Sequence, residues 1–175
     1  MTDKPRIAAV TGATNDQAQA LLAASVAEWR AAGARVVGVI AEGHGLPDRT
    51  CRAGVLRDIA TGARFTMYLQ TPPAHTACHL DATGVEAACA ALIEQVRAAD
   101  LVVLSKFGKL EAAGGGLAPA FRAAAEAGKP VLTSVSGKQR DAWQVFVPGA
   151  AELAPDGRAL ADWWQAVGRT PSEAA

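Results

Sequence analysis

The sequence predicts an α/β fold: one domain built on a layered, mostly parallel sheet with a β-hairpin insertion. Three observations carry this. Short apolar runs recur without polar alternation, which marks strands covered on both faces. Amphipathic or alanine-rich stretches separate them, so successive strands are joined by helices and run parallel. One pair of strand candidates breaks that rhythm, being joined only by Ala60, Thr61 and Gly62, a hairpin turn.

The elements follow in order. Arg6 to Thr11 (RIAAVT) is a first strand that stops at Gly12. Thr14 and Gln17, three apart, form a capping box ahead of the apolar stripe Leu21, Leu22, Ser25, Val26 and Trp29, and Gly33 closes that helix. Arg35 to Ala41 (RVVGVIA) is the next strand, and Glu42 to Cys51 is a loop rich in glycine, proline and aspartate. Ala53 to Ile59 and Ala63 to Gln70 are the hairpin strands. Thr83 and Glu86 form a second capping box, opening a helix with Val85, Cys89, Leu92, Ile93 and Val96 inside. Leu101 to Leu104 is a strand, Leu117 to Ala127 a helix closed by Gly128, Pro130 to Val135 a further strand, and Ala159 to Val167 a last helix, of whose Trp163 and Trp164 at least one should pack against the sheet. The single domain spans 1–175, with a core of about 6–167 and a frayed tail over 168–175.

Composition narrows the function classes. With 17 basic and 17 acidic residues the chain has no net charge to attract nucleic acid or an anionic membrane, so any anion site is local. No apolar run approaches the roughly 20 residues of a membrane span, and Met1 to Pro5 has no signal-like stretch; a cytoplasmic protein is expected. Cys51, Cys78 and Cys89 are odd in number and match no zinc-finger spacing, so free thiols are expected rather than a disulfide framework.

Ligands of such a sheet bind outside the carboxyl ends of its strands, which selects four loops: Gly12 to Gln17, Glu42 to Cys51, Ser105 to Gly116 and Ser134 to Asp141. At Gly12 to Gln17 the chain turns from strand to helix, where phosphate-binding loops sit. Against the pattern GxxxxGK[ST], Gln17, Ala18 and Gln19 replace the glycine, the lysine and the magnesium-binding hydroxyl. The amides of Gly12, Ala13, Thr14 and Asn15 can still face an anion, with Thr14 and Asn15 as side-chain donors, while Asp16 opposes one. The same residues also read as an ordinary capped turn.

After Leu104, where a nucleotide hydrolase carries an acidic pair, stand Ser105 and Lys106. A lysine there cannot ligate a metal but can pair with an anion; Lys109 lies nearby, Gly108 permits a tight turn, and Glu111 is placed to orient either lysine. In Ser134 to Asp141 and just beyond, Ser136, Lys138 and Arg140 can contact phosphate or ribose, and Trp143 can cover a base, against the plainer reading of a polar loop with a buried tryptophan. In TPPAHTACHLD, His75, Cys78, His79 and Asp81 crowd together in a way that suits a borderline metal, with His44 and Cys51 as further ligands. That spacing matches no established motif, and Asp81 alternatively caps the next helix.

VVGVIAEG, CHLDATGVEAACAAL, ADLVVLSKFGKLEAAGGGL, GKPVLTSV and AWQVF together resemble the bacterial domain of unknown function 2478, over about Ile7 to Trp164. The resemblance implies a P-loop NTPase-like fold and a context in molybdenum metabolism, since genes of that family often lie beside molybdate-transport genes. More distantly, Phe107 to Glu111 are similar to the ending that follows the acidic pair in small archaeal and cancer-related nucleoside triphosphatases. The acidic pair and the loop lysine are absent here, His79 stands in place of an arginine, and Gly115 and Gly116 replace a step with a basic residue.

The leading expectation is therefore a non-hydrolytic accessory protein that binds a nucleotide or an oxyanion such as molybdate on a degenerate P-loop. The partner is a small anion or nucleotide, with a homo-oligomer as a further expectation from the alanine-rich helices; no motif names a cofactor. A triphosphatase or kinase using Glu111, since Asp100 precedes its strand and is expected at the other end of it, and a metal-handling protein using His75, Cys78 and His79, are the alternatives.

Overall fold

The computed structural model describes residues 5–43, 54–67 and 82–168. The described strands form one sheet: β1 (Ile7–Val10), β2 (Val36–Glu42), β3 (Val55–Asp58), β4 (Arg64–Thr66), β5 (Leu101–Leu104), β6 (Val131–Ser134) and β7 (Ala151–Leu153). Their spatial order is β4-β3-β2-β5-β6-β1-β7. The run from β2 to β7 is parallel throughout, and β3 and β4 add an antiparallel hairpin at one edge. The expected mostly parallel sheet with its hairpin is thus present.

Helices cover both faces. α1 (Asn15–Ala31) and α6 (Gly157–Val167) lie on one side, burying Leu22, Val26, Leu160 and Trp163 against Val10, Leu101 and Val103. α2 (Ala82–Ile93), α4 (Ala118–Glu126) and α5 (Arg140–Phe146) lie on the other, where Leu92, Phe121 and Trp143 meet Val102, Leu104 and Val131. A short α3 (Lys109–Ala112) follows β5. Successive residues of β5 therefore enter opposite cores, which is why LVVL carries no polar alternation.

Several local expectations hold in detail. Thr14 caps α1 with the reciprocal Gln17 contact, and Gly33, at φ +97°, follows its end. The hairpin turn is held by Asp58, whose Oδ1 accepts from the amides of Ala60 and Thr61. Trp163 is buried and donates from Nε1 to the Pro5 carbonyl, while Trp164 packs on Trp29.

Others are corrected. α2 already includes Ala82, so Thr83 sits inside its first turn and is not its cap. The second hairpin strand is regular only over Arg64–Thr66; the expected remainder, 68–70, lies outside the described residues. β7 and α5 have no counterpart among the expected elements. The His75, Cys78, His79 and Asp81 cluster, with His44 and Cys51, also lies outside the described residues.

Candidate functional site

At the carboxyl edge of the sheet, β1 leads to α1 on one face, while its neighbour β6 leads to α5 on the other. Connections that part in this way open a crevice between them. The Gly12 turn forms one side of it, with Gly12 at φ +79°. The capping box uses part of what the turn offers: the Thr14 amide donates to Gln17 Oε1 at 3.0 Å, and Thr14 Oγ1 accepts from the Gln17 amide at 3.2 Å. Of the amides expected to meet an anion, Thr14 is therefore already occupied, whereas Gly12, Ala13 and Asn15 donate to no described residue.

Gln19 decides the chemistry of this turn. It stands where a phosphate loop has its magnesium-binding hydroxyl, and it is buried. β2 runs on to Glu42 beyond its last pairing with β5, at Val39 and Leu104. The Gln19 carboxamide takes the place of the missing strand, accepting from the Ala41 amide at 3.0 Å and donating to the Ser105 carbonyl at 2.7 Å. Ser134 Oγ donates to the same carbonyl, also at 2.7 Å. The ends of β2, β5 and β6 and the first turns of α1 are thus joined by neutral groups. A polar residue in register with the buried Leu22, Val26 and Trp29 was the available signal for Gln19; its partners were not visible in the sequence.

The loop after β5 differs from expectation in the role of its acid. Glu111 is buried; its Oε2 accepts from the Gly108 amide at 2.9 Å and its Oε1 from the Leu117 amide at 3.0 Å. The carboxylate braces the loop and orients neither lysine. Lys106 and Lys109 are exposed and form no ion pair with a described residue. The end of the Lys106 stem lies over Gly108, where a built Cβ would be 3.4 Å from Lys106 Cε.

Beyond β6, Ser136 and Lys138 are exposed on the turn Gly137–Gln139. Arg140 is committed to β7, with Nε and Nη2 on the two oxygens of Glu152 at 3.0 and 2.7 Å. Hydrogen bonds from Arg140, and then Gln144, hold the Glu152 carboxyl below its ordinary pKa. Trp143 covers no base: it is buried among Phe107, Phe121 and Phe146, its ring 5.2 Å from Phe107. Asp100 lies at the far, amino edge, as its position before β5 required, and binds the Arg35 amide at 2.8 Å.

A cleft of about 390 Å³ opens beside the crevice, between α1 and the β2–β3 edge, lined by Asn15, Asp16, Gln19, Ile40, Glu42 and Arg57 among others. None of the expected lysines, Lys106, Lys109 and Lys138, lines it. Its cation is Arg57, which the sequence reading did not single out; Arg57 Nε binds Glu42 Oε1, and Arg64 Nη1 lies 3.4 Å from Glu42 Oε2. Among the described residues, no three or more His, Cys, Asp or Glu side chains are grouped to hold a metal, and no helix is long and apolar enough to cross a membrane.

The family described as "Protein of unknown function (DUF2478)" matches residues 7–163. The chain belongs to it. This DUF2478 chain is also 33% identical, over 170 residues, to a protein of Bradyrhizobium diazoefficiens named "Molybdenum import ATP-binding protein ModC 2". The match covers 93% of the present chain and 18% of that relative. No solved structure matches the chain. Sheet, helix layers and relative together give this DUF2478 domain a P-loop NTPase-like fold.

Proposed function

We propose that this DUF2478 domain is a non-hydrolytic binding module, taking a nucleotide or an oxyanion such as molybdate at the carboxyl edge of its sheet. The observation that carries the reading is the Gln19 bridge. Phosphoanhydride hydrolysis on such a fold depends on a cation held by a loop hydroxyl and a strand-end acid. Here a carboxamide stands in place of the first, Ser105 and Lys106 in place of the second, and the one buried acid of the loop is spent on two amides. What remains suits binding: unoccupied amides at the Gly12 turn, with Lys106, Lys109, Ser136 and Lys138 exposed along the same edge. The molybdenum context rests on the name of the relative, most of whose length lies outside the match.

Calorimetric titration with molybdate, tungstate, ATP and GTP, paired with a phosphate-release assay in magnesium, tests the reading. Saturable heat from one of them without turnover is the expected result. Magnesium-dependent phosphate release that tracks the protein through purification would overturn it, and so would the absence of heat from all four.

A further inference from the structure

We propose that the ligand of this domain is a nucleoside phosphate rather than a bare oxyanion, and that it lies in the cleft between α1 and the β2–β3 edge with its phosphate on Arg57. The inference rests on the reading of the domain as an anion- or nucleotide-binding module. It adds the class of ligand and the cation that meets it.

Charge supplies the first argument. Glu42 is shared by two guanidinium groups, Arg57 and Arg64, so the wall these three form carries one positive charge in excess, which Asp16 on the opposite wall balances. Arg57 spends only its Nε on Glu42, and its terminal nitrogens have no described partner. A guanidinium anchored through one edge presents the remaining fork of donors in a fixed plane, a geometry suited to phosphate. Its side chain is 35% exposed, so part of it is already out of water while the remainder is open to a ligand.

The second argument is the opposite wall. Asp16 and Asn15 line the same cleft, and neither side chain has a described partner. A tetrahedral oxyanion filling the cleft would meet the Asp16 carboxylate unfavourably. A ligand with two poles does not: its phosphate faces Arg57, and its hydroxyl or amino donors face Asp16 and Asn15. Size agrees, since about 390 Å³ is the space of a pocket for an organic molecule, within the roughly 300–1,000 Å³ usual for such sites. The Gln19 carboxamide closes the wall toward β5 with both its ends hydrogen-bonded to backbone.

Calorimetry on the full chain without magnesium, using AMP, ATP, inorganic phosphate and molybdate, decides the matter with two variants that break the same ion pair. Arg57→Gln removes the phosphate partner and lowers nucleotide affinity by about tenfold or more, the scale of a hydrogen bond to a charged group. Glu42→Gln frees Arg57 from its carboxylate and raises affinity severalfold. Loss of folding alone would move both variants the same way, and that result overturns the proposal. It also fails if molybdate or phosphate binds and neither nucleotide does, or if Lys106→Ala with Lys109→Ala abolishes binding while Arg57→Gln preserves it; both outcomes leave the broader binding function standing. Silence of the wild-type chain toward all four removes that function too.

Discussion

Gln19 Nε2 donates to the carbonyl oxygen of Ser105 at 2.7 Å, joining the start of α1 to the end of β5 across 86 positions of sequence. With Gln19 Oε1 on the Ala41 amide, one side chain replaces a short piece of strand. Gln19→Ala leaves the half-buried Ala41 amide without its side-chain partner and the Ser105 carbonyl with Ser134 alone. The expected cost is about 2–4 kcal/mol, from two lost hydrogen bonds, one buried and one half-buried, and the groups they leave unpaired. Urea denaturation should show the lowered midpoint. A variant as stable as the parent would mean that water replaces the bridge.

Glu111 gives a second test, because the structure moves it from a candidate acid to a brace. A carboxylate accepts from both amides, whereas a glutamine turns its NH2 toward one of them. Glu111→Gln should therefore lower stability by about 1–3 kcal/mol, equally with and without magnesium. A denaturation series in each condition checks this, and a magnesium-dependent difference would return Glu111 to a metal-binding role.

Much of this fold was legible because its strands are buried on both faces and its first helix carries a complete cap. The amino-edge position of Asp100 followed from its place ahead of β5. β7 was not legible: three residues at a sheet edge, Ala151 and Leu153 half-buried and Glu152 exposed, give too short a pattern for periodicity to register. α5 was hidden for a similar reason, since seven residues beginning Arg140 and Asp141 read as loop until Trp143 and Phe146 are seen inside the aromatic cluster. At the candidate cleft, sequence drew attention to the lysines after β5 and not to Arg57. Lysines are conspicuous in a motif, whereas the pairing of Arg57 with Glu42 depends on hairpin register, which sets Arg57 opposite Ile40 and Val55 opposite Glu42.

Acid should weaken the fold through two carboxylates. Asp100 is held below its ordinary pKa chiefly by the Arg35 amide, then by the Arg35 guanidinium, and Glu152 chiefly by Arg140. A lowered folded-state pKa means the unfolded chain binds protons first, so the stabilisation is complete above the ordinary carboxylate range, near pH 4, and is lost as pH falls through the folded values. Asp100 is 41% exposed, so solvent screens its pair and the change stays small. The denaturation midpoint should decline on acidification from about pH 5 to pH 3, and Arg140→Gln should flatten that limb by less than about 1 kcal/mol. An unchanged limb in the variant would show that the Glu152 pair is not formed in solution.

Gly38 offers the sharpest test of the sheet itself. It lies within β2 at φ +136°, paired with Val103 of β5, and its carbonyl accepts from the Ile59 amide at 2.9 Å. A Cβ built there would fall 1.8 Å from the Val103 carbonyl oxygen. That atom is backbone at the centre of the parallel sheet, so no side-chain rotation relieves the overlap, and the dihedral is one that an L-residue rarely adopts. Strain from the dihedral and overpacking each contribute on the order of 1–3 kcal/mol. Gly38→Ala should then lose about 3–5 kcal/mol, a large part of the stability of a domain this size. Thermal and urea denaturation against the parent measure it, with a nearby exposed change such as Glu28→Ala as the reference. A Gly38→Ala protein with parental stability would show that β2 and β5 do not pair at Gly38 and Val103, and the strand order around the candidate cleft would fall with that register.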